Sequence, residues 1–426
     1  MKDTVTHLDS YDSFIDKLKE AMDSLSEDVV IPIIYSDIKH FKYFNDTYGY
    51  KKGDELIAEF ARCVSQDPDS FITGTRVVSD NIVAAGYVSS KVSVEMLFEY
   101  VKQVNEELEN HLCEMFDCKR LKVASGVFYI TSDNKDMDPE TAIANANVAR
   151  KLAKESRDES VVLFDDKMAD RINNDLEILN SIKDAIKNRE LVPYYQPKID
   201  SDTGKINGAE ALVRWKKPDG KFVYPDQFIP AIEKSGQIVD VDYFMYEEVI
   251  RFIGEKLSAG ESVVPISLNV SRQHFKNFDI IDKIMSLMDK YHVPADYLEF
   301  EITETTCMEN PERAMTFIDR LHDMGIKVSM DDFGSGYSSL NFLSEVSFDV
   351  IKLDRAFLRT VDLKKKEKII LANIINMARE LGMQSLCEGV ETETQSSFLK
   401  DIGCDIQQGF FYSRPIPRME FEAMLA

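Results

Sequence analysis

Residues 298–304 read LEFEITE, a stretch in which apolar and polar side chains alternate with the period of a β-strand. Taken alone, the pattern is typical of an exposed strand that turns Leu298, Phe300 and Ile302 inward and its glutamates toward water. Seven other short apolar segments in the second half of the chain also run into a polar residue. The recurrence of the pattern therefore decides the fold more than this single stretch does.

The eight segments span about 235 residues, and helical patterns lie between most of them, for example at 279–291 and 311–324. In chain order the segments contain Gln196, Glu210, Asn269, Glu301 with Glu304, Asp331 with Asp332, Lys352 with Asp354, Glu388 with Glu391, and Gln408. Strand–helix alternation of this length predicts an α/β protein with a TIM-like (β/α)8 barrel. Because the carboxyl ends of barrel strands share one mouth, we expect the polar residues of all eight segments to meet there.

Carboxylates at five of these predicted strand ends would repel one another unless cations neutralised them. Single acidic residues are common on protein surfaces, and residues 331–334 could by themselves form a turn. The coincidence across several strands instead indicates a metal site. Oxygen ligands favour Mg²⁺ or Mn²⁺, and the lack of a thiolate or histidine cluster near these segments argues against zinc at this mouth.

The formal net charge of −24 argues against binding to duplex nucleic acid or to an anionic membrane by charge alone. A phosphate-bearing substrate would need a cation to offset the repulsion between its negative charge and that of the protein. The start of the sequence lacks an apolar run of signal-peptide length, and no stretch approaches about 18 unbroken apolar residues. The six cysteines form no C-x-x-C pair. We therefore expect a cytoplasmic protein with reduced thiols and no membrane partner.

A chain of 426 residues predicts more than one domain. Residues 168–188 have the spacing of a long amphipathic helix, with Leu176, Leu179 and Ile182 on one side. We therefore predict a first domain at 1–167, a connecting helix at 168–189 and the barrel domain at 190–426.

Residues 210–215 read EALVRW, and with their surroundings they resemble the EAL family of c-di-GMP phosphodiesterases over residues 191–417. The nine ordered motifs are YYQP (194–197), EALVRW (210–215), PDQFIPAIE (225–233), LNVS (268–271), EITE (301–304), DDFGSGYSSL (331–340), IKLD (351–354), EGVET (388–392) and QQGFFYSRP (407–415). The departures, Cys387 for the usual Ala and Ser335 for a common Thr, remove no ligand.

The resemblance implies hydrolysis of c-di-GMP to linear pGpG with Mg²⁺ or Mn²⁺, two ions per active site, in a homodimer formed through the barrel domain. It implies metal ligation by Glu210, Asn269, Glu301 and Asp331, and a second metal position or water activation at Asp332 and Glu388. It assigns the contact with the attacking water to Lys352, supporting roles to Glu304 and Glu391, and substrate contacts to Gln196, Arg214 and Gln408.

The first domain is predicted to alternate strands and helices, and it resembles the GGDEF family of diguanylate cyclases, which have an α/β nucleotidyl cyclase palm-like fold. The resemblance rests on DIKHFK (37–42), Asn45-Asp46, Gly49, Gly53-Asp54 and Ala153-Lys154. The signature loop at 76–82 reads RVVSDNI, without its two glycines, and Asn81 stands where the family has an acidic metal ligand. Side chains at Val78 and Ser79 would obstruct close approach of a nucleotide.

We therefore expect no cyclase activity from the first domain. Two alternatives remain for its role. It could be a structural domain that helps to dimerise the enzyme, or a regulatory domain that senses GTP through Asn45, Asp54 and Asp37.

Three functions remain for the whole chain: an active phosphodiesterase, a receptor that binds c-di-GMP without cutting it, and a diguanylate cyclase. The retained acidic and lysine residues of the barrel favour the first, and Asn81 disfavours the third. Formation of a product separates the first from the second.

Overall fold

The computed structural model describes residues 2–66, 70–118, 121–156, 159–276, 278–334, 343, 346–358 and 365–425. Ser335 and the rest of the motif at 335–340 lie outside the described residues. The chain forms two compact units, Met1–Asn174 and Asp175–Ala426. The amphipathic pattern at 168–188 corresponds to a helix, α6, which covers Asp166–Lys187.

The first unit is a mixed sheet with helices on both faces. Its elements before α6 are α1 (Tyr11–Asp23), β1 (Val29–Ile38), α2 (Phe41–Tyr48), α3 (Tyr50–Val64), β2 (Phe71–Val78), β3 (Asn81–Gly86), β4 (Val88–Ser89), α4 (Val94–Phe116), β5 (Val123–Ile130), α5 (Pro139–Glu155) and β6 (Val161–Leu163).

Strand β1 lies in the middle of this sheet, which has the order β2-β3-β1-β5-β6 with β4 beside the start of β1. It is antiparallel to both β3 and β5. Because side chains alternate across a strand, Ile31 and Ile33 pack with Phe14 of α1, whereas Ile34 packs with Leu97 of α4. This alternation confirms the α/β class predicted for the first half of the chain.

The second unit is a barrel surrounded by helices. Its elements are β7 (Leu191–Asp200), β8 (Ile206–Lys216), β9 (Phe222–Val223), α7 (Pro225–Ser235), α8 (Ile238–Ser258), β10 (Ile266–Asn269), α9 (Asp279–Tyr291), β11 (Leu298–Thr303), α10 (Glu304–Glu309), α11 (Pro311–Asp323), β12 (Lys327–Phe333), β13 (Val350–Leu353), α12 (Lys365–Glu380), β14 (Gln384–Cys387), α13 (Glu393–Asp401), β15 (Ile406–Gln407), β16 (Ile416–Pro417) and α14 (Arg418–Leu425).

Eight of the described strands close in the order β7-β8-β10-β11-β12-β13-β14-β15, because β7 pairs with both β8 and β15. The predicted TIM-like barrel is confirmed, but β7 is antiparallel to both of its neighbours. The expectation that all eight polar residues lie at carboxyl strand ends is therefore wrong. Gln196 lies in the middle of β7 opposite Glu210, and β8 continues beyond Glu210 to Lys216.

The reversal of β7 follows from the short connection to β8. Only residues 201–205 join the two strands, whereas a parallel crossover needs a dozen or more residues. Asp200 Oδ1 accepts a hydrogen bond from the backbone N–H of Thr203 at 2.8 Å, and Gly204 has a φ of +69°. These features are those of a tight turn, so the first two strands form a hairpin.

The barrel strands turn apolar side chains toward the helices and polar ones toward the barrel interior. On β11, the Phe300 ring packs edge-on against Tyr246 of α8 with 5.4 Å between centroids. Glu299 and Glu301 are buried on the other face, where they reach Lys198 of the non-adjacent strand β7. The alternative of an exposed strand at 298–304 is wrong, because helices cover its apolar face and the interior encloses its glutamates.

All six cysteines are free thiols, and Cys307, Cys387 and Cys404 are buried. In the described part of the chain, no helix combines the length and the apolar character that crossing a bilayer would require.

Candidate active site

Lys352 on β13 is the centre of the polar barrel interior. Its ammonium group is 2.9 Å from Asp331 Oδ1, 2.8 Å from Glu388 Oε1 and 3.6 Å from Glu210 Oε2, and it also forms an ion pair with Glu301. Only 1% of its side chain is exposed. The four carboxylates come from β8, β11, β12 and the residue after β14, so the structure brings together residues that are distant in sequence.

Lys198 is a second buried cation, and the sequence interpretation missed it. Its Nζ lies 2.9 Å from both Glu299 Oε1 and Glu301 Oε1. The signal was present in YYQPKID, because Lys198 is two residues after Gln196 and therefore faces the same side of β7. A lysine within a buried strand almost always has an anionic partner.

The two lysines do not neutralise the carboxylates around them. In the described part of the chain, six carboxylates lie at or beside these lysines, those of Glu210, Glu299, Glu301, Asp331, Glu388 and the partly buried Asp332. Two ammonium groups leave a surplus of four negative charges among these eight groups if all six carboxylates are ionised. Burial and the neighbouring carboxylates oppose this full ionisation and raise the pKa of several of them.

Burial, together with neighbouring carboxylates, raises the pKa of Glu388 to about 8 in spite of Lys352. Burial likewise raises the pKa of Asp331 and of Glu210. For Glu301, burial alone would raise the pKa, but Lys198 and Lys352 outweigh it and lower the value to about 2. Glu301, which contacts both lysines, is therefore the carboxylate that is most readily ionised, whereas the raised pKa values of Glu210, Asp331 and Glu388 mean that their negative charge is stabilised only when a proton or a cation binds.

These residues fit divalent cations. Two such ions would offset the surplus of four charges, and the available ligand atoms are hard oxygens. One carboxylate oxygen from each of Asp331, Asp332 and Glu388 lies within 4.8 Å of the others. Asn269 is also at the site, since its Nδ2 donates to Glu210 Oε1 at 3.1 Å.

A break in β12 places two consecutive aspartates at the site. In a regular strand, Asp331 and Asp332 would point to opposite faces. Here the register with β13 shifts between Met330 and Phe333, and Asp332 adopts a left-handed φ of +57°. Such a conformation is costly for a residue other than glycine and is concentrated at functional sites.

The expected substrate contacts separate into two groups. Gln408 Nε2 donates to Gln196 Oε1 at 3.2 Å and to Glu210 Oε2 at 2.7 Å, and all three residues line a cleft of about 290 Å³. Arg214 is not among the described lining residues; its guanidinium lies over Tyr194, 5.8 Å from the ring centroid. Arg355, which the sequence interpretation did not single out, lines the cleft and supplies an exposed cation.

The two expected supporting residues differ in setting. Glu304 begins α10, is buried, and accepts a hydrogen bond from the backbone N–H of Gly334 at 3.1 Å. It therefore holds the chain directly after Asp332. Glu391 is exposed and lines the cleft beside Glu388.

In the first unit, Asp37 is completely buried, and its Oδ2 forms ion pairs with Arg150 and, at 2.5 Å, with Lys154. Two cations of the protein itself thus occupy the surroundings of this carboxylate. Asn45 faces Gly53, where an added Cβ would lie 1.9 Å from Asn45 Oδ1, and Asp54 is exposed.

Position 81, the first residue of β3, has no acidic group. Asn81 Nδ2 instead donates to the carbonyl oxygen of Val78 at 3.1 Å, and 63% of the Val78 residue is exposed. Asp80 is buried and accepts a hydrogen bond from the backbone N–H of Ile38 at 2.9 Å.

Comparisons with known proteins agree with this architecture. The EAL domain model matches residues 179–415, and the model described as diguanylate cyclase, GGDEF domain, matches residues 1–160. The bifunctional diguanylate cyclase/cyclic di-GMP phosphodiesterase MucR of Pseudomonas aeruginosa is 28% identical over all of this chain and 62% of its own length. The cyclic di-GMP phosphodiesterase NbdA of the same organism is 27% identical over 93% of this chain and 50% of its own.

Among solved structures, the PaMucR phosphodiesterase in a c-di-GMP complex is 33% identical, with a TM-score of 0.55, and the match covers 57% of this chain and 99% of that one. The present chain spans about half to three fifths of the length of the two curated relatives named above. The two family matches follow one another along the sequence and coincide with the sheet unit and the barrel unit. The chain therefore belongs to the EAL domain family and carries a GGDEF domain in front of its EAL domain.

Proposed function

We propose that the barrel hydrolyses c-di-GMP to linear pGpG with the help of divalent metal ions. The observation that carries this proposal is the convergence of Glu210, Glu301, Asp331 and Glu388 on the buried Lys352. The similarity to cyclic di-GMP phosphodiesterases supports the choice of substrate.

The groups in the cleft suit a reaction at one phosphodiester. Water would attack one phosphorus atom, the bond from that phosphorus to the ribose 3′-oxygen would break, and the linear dinucleotide would result. Gln196 and Gln408 would orient the dinucleotide, and Arg355 and Lys352 would offset charge that develops on the phosphate. Glu304 would keep Asp332 in place through its hydrogen bond to Gly334.

The metal ions would be held by Glu210, Asn269, Glu301, Asp331, Asp332 and Glu388. When bound, Mg²⁺ or Mn²⁺ would lower the pKa of a water molecule and counter the charge of the phosphodiester. Glu388 and Asp332 would orient this water, and Lys352 would contact it.

Replacement of Glu210 by alanine is expected to lower the rate of pGpG formation at least roughly 100-fold, about 2.7 kcal/mol in the activation free energy. The change removes an oxygen ligand and leaves Asn269 Nδ2 and Gln408 Nε2 without their acceptor. Separation of products after incubation with c-di-GMP and Mg²⁺ measures the effect. The exposed Glu393→Ala on α13 is the matched control and should retain activity. Turnover near the wild-type rate in Glu210→Ala would contradict the proposal, and binding of c-di-GMP by the wild type without any product would favour the receptor.

The second expectation concerns the choice of metal. Mg²⁺ and Mn²⁺ should support turnover and Ca²⁺ should inhibit it. Ca²⁺ prefers bonds of about 2.3–2.6 Å and more ligands, against about 2.0–2.1 Å for Mg²⁺, so it would enlarge a site with two ions and activate the attacking water less well. Initial rates with each ion alone, and with Ca²⁺ added to Mg²⁺, test this, and full activity with Ca²⁺ alone would show that the site is not built as proposed.

The buried ion pairs of Lys198 give a third expectation. Lys198→Met leaves Glu299 and Glu301 buried with less compensation and should lower the free energy of unfolding by about 3–5 kcal/mol. Adding Glu299→Gln should recover part of this loss, because one uncompensated charge is removed. Urea denaturation of the single and double variants measures the coupling. Lys205→Met, at an exposed position, is the control for loss of a positive charge. If Lys198→Met were as stable as this control, the ion pairs of Lys198 with Glu299 and Glu301 would not stabilise the fold.

For the GGDEF domain we propose that it makes no c-di-GMP from GTP. Asn81 is a poorer metal ligand than a carboxylate, and Arg150 and Lys154 already pair with Asp37. A regulatory domain that still binds GTP and a purely structural, dimerising domain both remain compatible with this arrangement.

We accordingly expect no cyclic product from radiolabelled GTP, even in a Glu210→Ala background that would prevent its destruction. Any cyclic product would refute the loss of cyclase activity. Phosphodiesterase rates with and without GTP, measured on the wild type, then distinguish the sensing role from the structural one, since coupling requires a difference in GTP affinity between two states.

A further inference from the structure

A second group of metal-ligating side chains lies in the GGDEF domain, away from the residues discussed above. Glu59 and Cys63 are one turn apart on α3, and His111 projects from α4. One ligand atom from each lies within 4.8 Å of the others. His111 Nε2 is 2.6 Å from Glu59 Oε1, and Cys63 Sγ is 3.8 Å from the same oxygen.

We propose that Glu59, Cys63 and His111 form a site for Zn²⁺. A thiolate, an imidazole nitrogen and a carboxylate oxygen are all established zinc ligands, and this mixed set differs from the oxygen ligands of the barrel. The proposal is independent of the phosphodiesterase activity.

The geometry requires little movement. In a tetrahedral site with bonds of about 2.0–2.3 Å, ligand atoms are separated by about 3.3–3.8 Å. The separation between Cys63 Sγ and Glu59 Oε1 already has this value, and that between His111 and Glu59 must widen by several tenths of an ångström. Three protein ligands leave a fourth position for water.

The framework that holds the trio is rigid. Leu56 and Phe60 of α3 pack with Leu108 and Leu112 of α4 in one buried cluster, and these residues flank the three ligands in sequence. Glu59 is mostly shielded, with 13% of its side chain exposed, whereas 46% of the His111 side chain is exposed. An ion could therefore enter from solvent on the His111 side.

Glu59 supplies the anionic group of the site, and an ion would replace Arg62 as its partner. Glu59 accepts hydrogen bonds from Arg62 Nε at 2.8 Å and Arg62 Nη2 at 2.5 Å, and its Oε1 contacts His111. Arg62 is itself largely exposed and can leave Glu59 without burying an unpaired charge. Because the thiolate is the form of cysteine that binds metals, Cys63 would lose its proton when the ion binds.

Titration of the full chain with Co²⁺, a spectroscopic substitute for Zn²⁺, tests the site. A thiolate-to-cobalt charge-transfer band should appear and should disappear when Zn²⁺ is added. The barrel ligands contain no thiolate and cannot give this band. The band should be absent in Cys63→Ser, and the affinity for Zn²⁺ should fall at least about tenfold in His111→Asn.

Two matched variants control for other thiols and imidazoles of the same domain. Cys118→Ser and His40→Asn should keep the band and the affinity, and circular dichroism should show that all four variants are folded. Absence of the band in the wild type would overturn the proposal, as would a band that survives in Cys63→Ser. Loss of the band in Cys118→Ser would contradict the proposed ligand set.

Discussion

The ion pairs of Lys352 with the carboxylates around it are the constraint on which the barrel depends. A buried ammonium group is stable only if anions surround it, and four strands or strand ends supply those anions. With β13, which carries Lys352, five strands contribute to this network; Lys198 extends it to a sixth, β7, and binds the other carboxylate oxygen of Glu301. Because more carboxylates than lysines are enclosed, the network that orders the interior also leaves it charged and receptive to cations.

Much of the barrel could be predicted from the sequence. The alternation of apolar and polar residues in segments such as 298–304 indicates which side chains face the helices, and the polar residue at the end of most segments, though not of those with Gln196 and Glu210, indicates the mouth. The resemblance then identified Glu210, Asn269, Glu301, Asp331, Lys352 and Glu388, which the structure brings to one place. The barrel fold was predictable because strand periodicity is a local property that is visible in a few residues.

Features set by chain geometry were harder to predict. The direction of β7 depends on the short turn at 201–205. The prediction that all eight polar residues lie at carboxyl strand ends took no account of this turn. Asp331 and Asp332 both reach the site because of a register shift and a left-handed backbone at Asp332. Neither feature could be recognised in the sequence, since no glycine marks the left-handed position. Arg355 lines the cleft and was not singled out from the sequence, because which side chains line a cleft is decided by packing. In the GGDEF domain, the ion pair between Arg150 and Asp37 joins residues that are far apart in sequence, so no local sequence pattern could predict it.

The central claim is that two divalent cations bind in the barrel and neutralise the surplus negative charge of its interior. Equilibrium dialysis with Mn²⁺, followed by counting of the ions bound per chain, tests it most directly. The measurement should use the Cys63→Ser variant, so that the thiolate site proposed in the GGDEF domain binds no ion. It should also include an analogue of c-di-GMP in which a non-hydrolysable linkage replaces the phosphodiester. The account predicts two Mn²⁺ ions per chain, both lost together in Asp331→Ala; one ion or none in the unmutated barrel would contradict it.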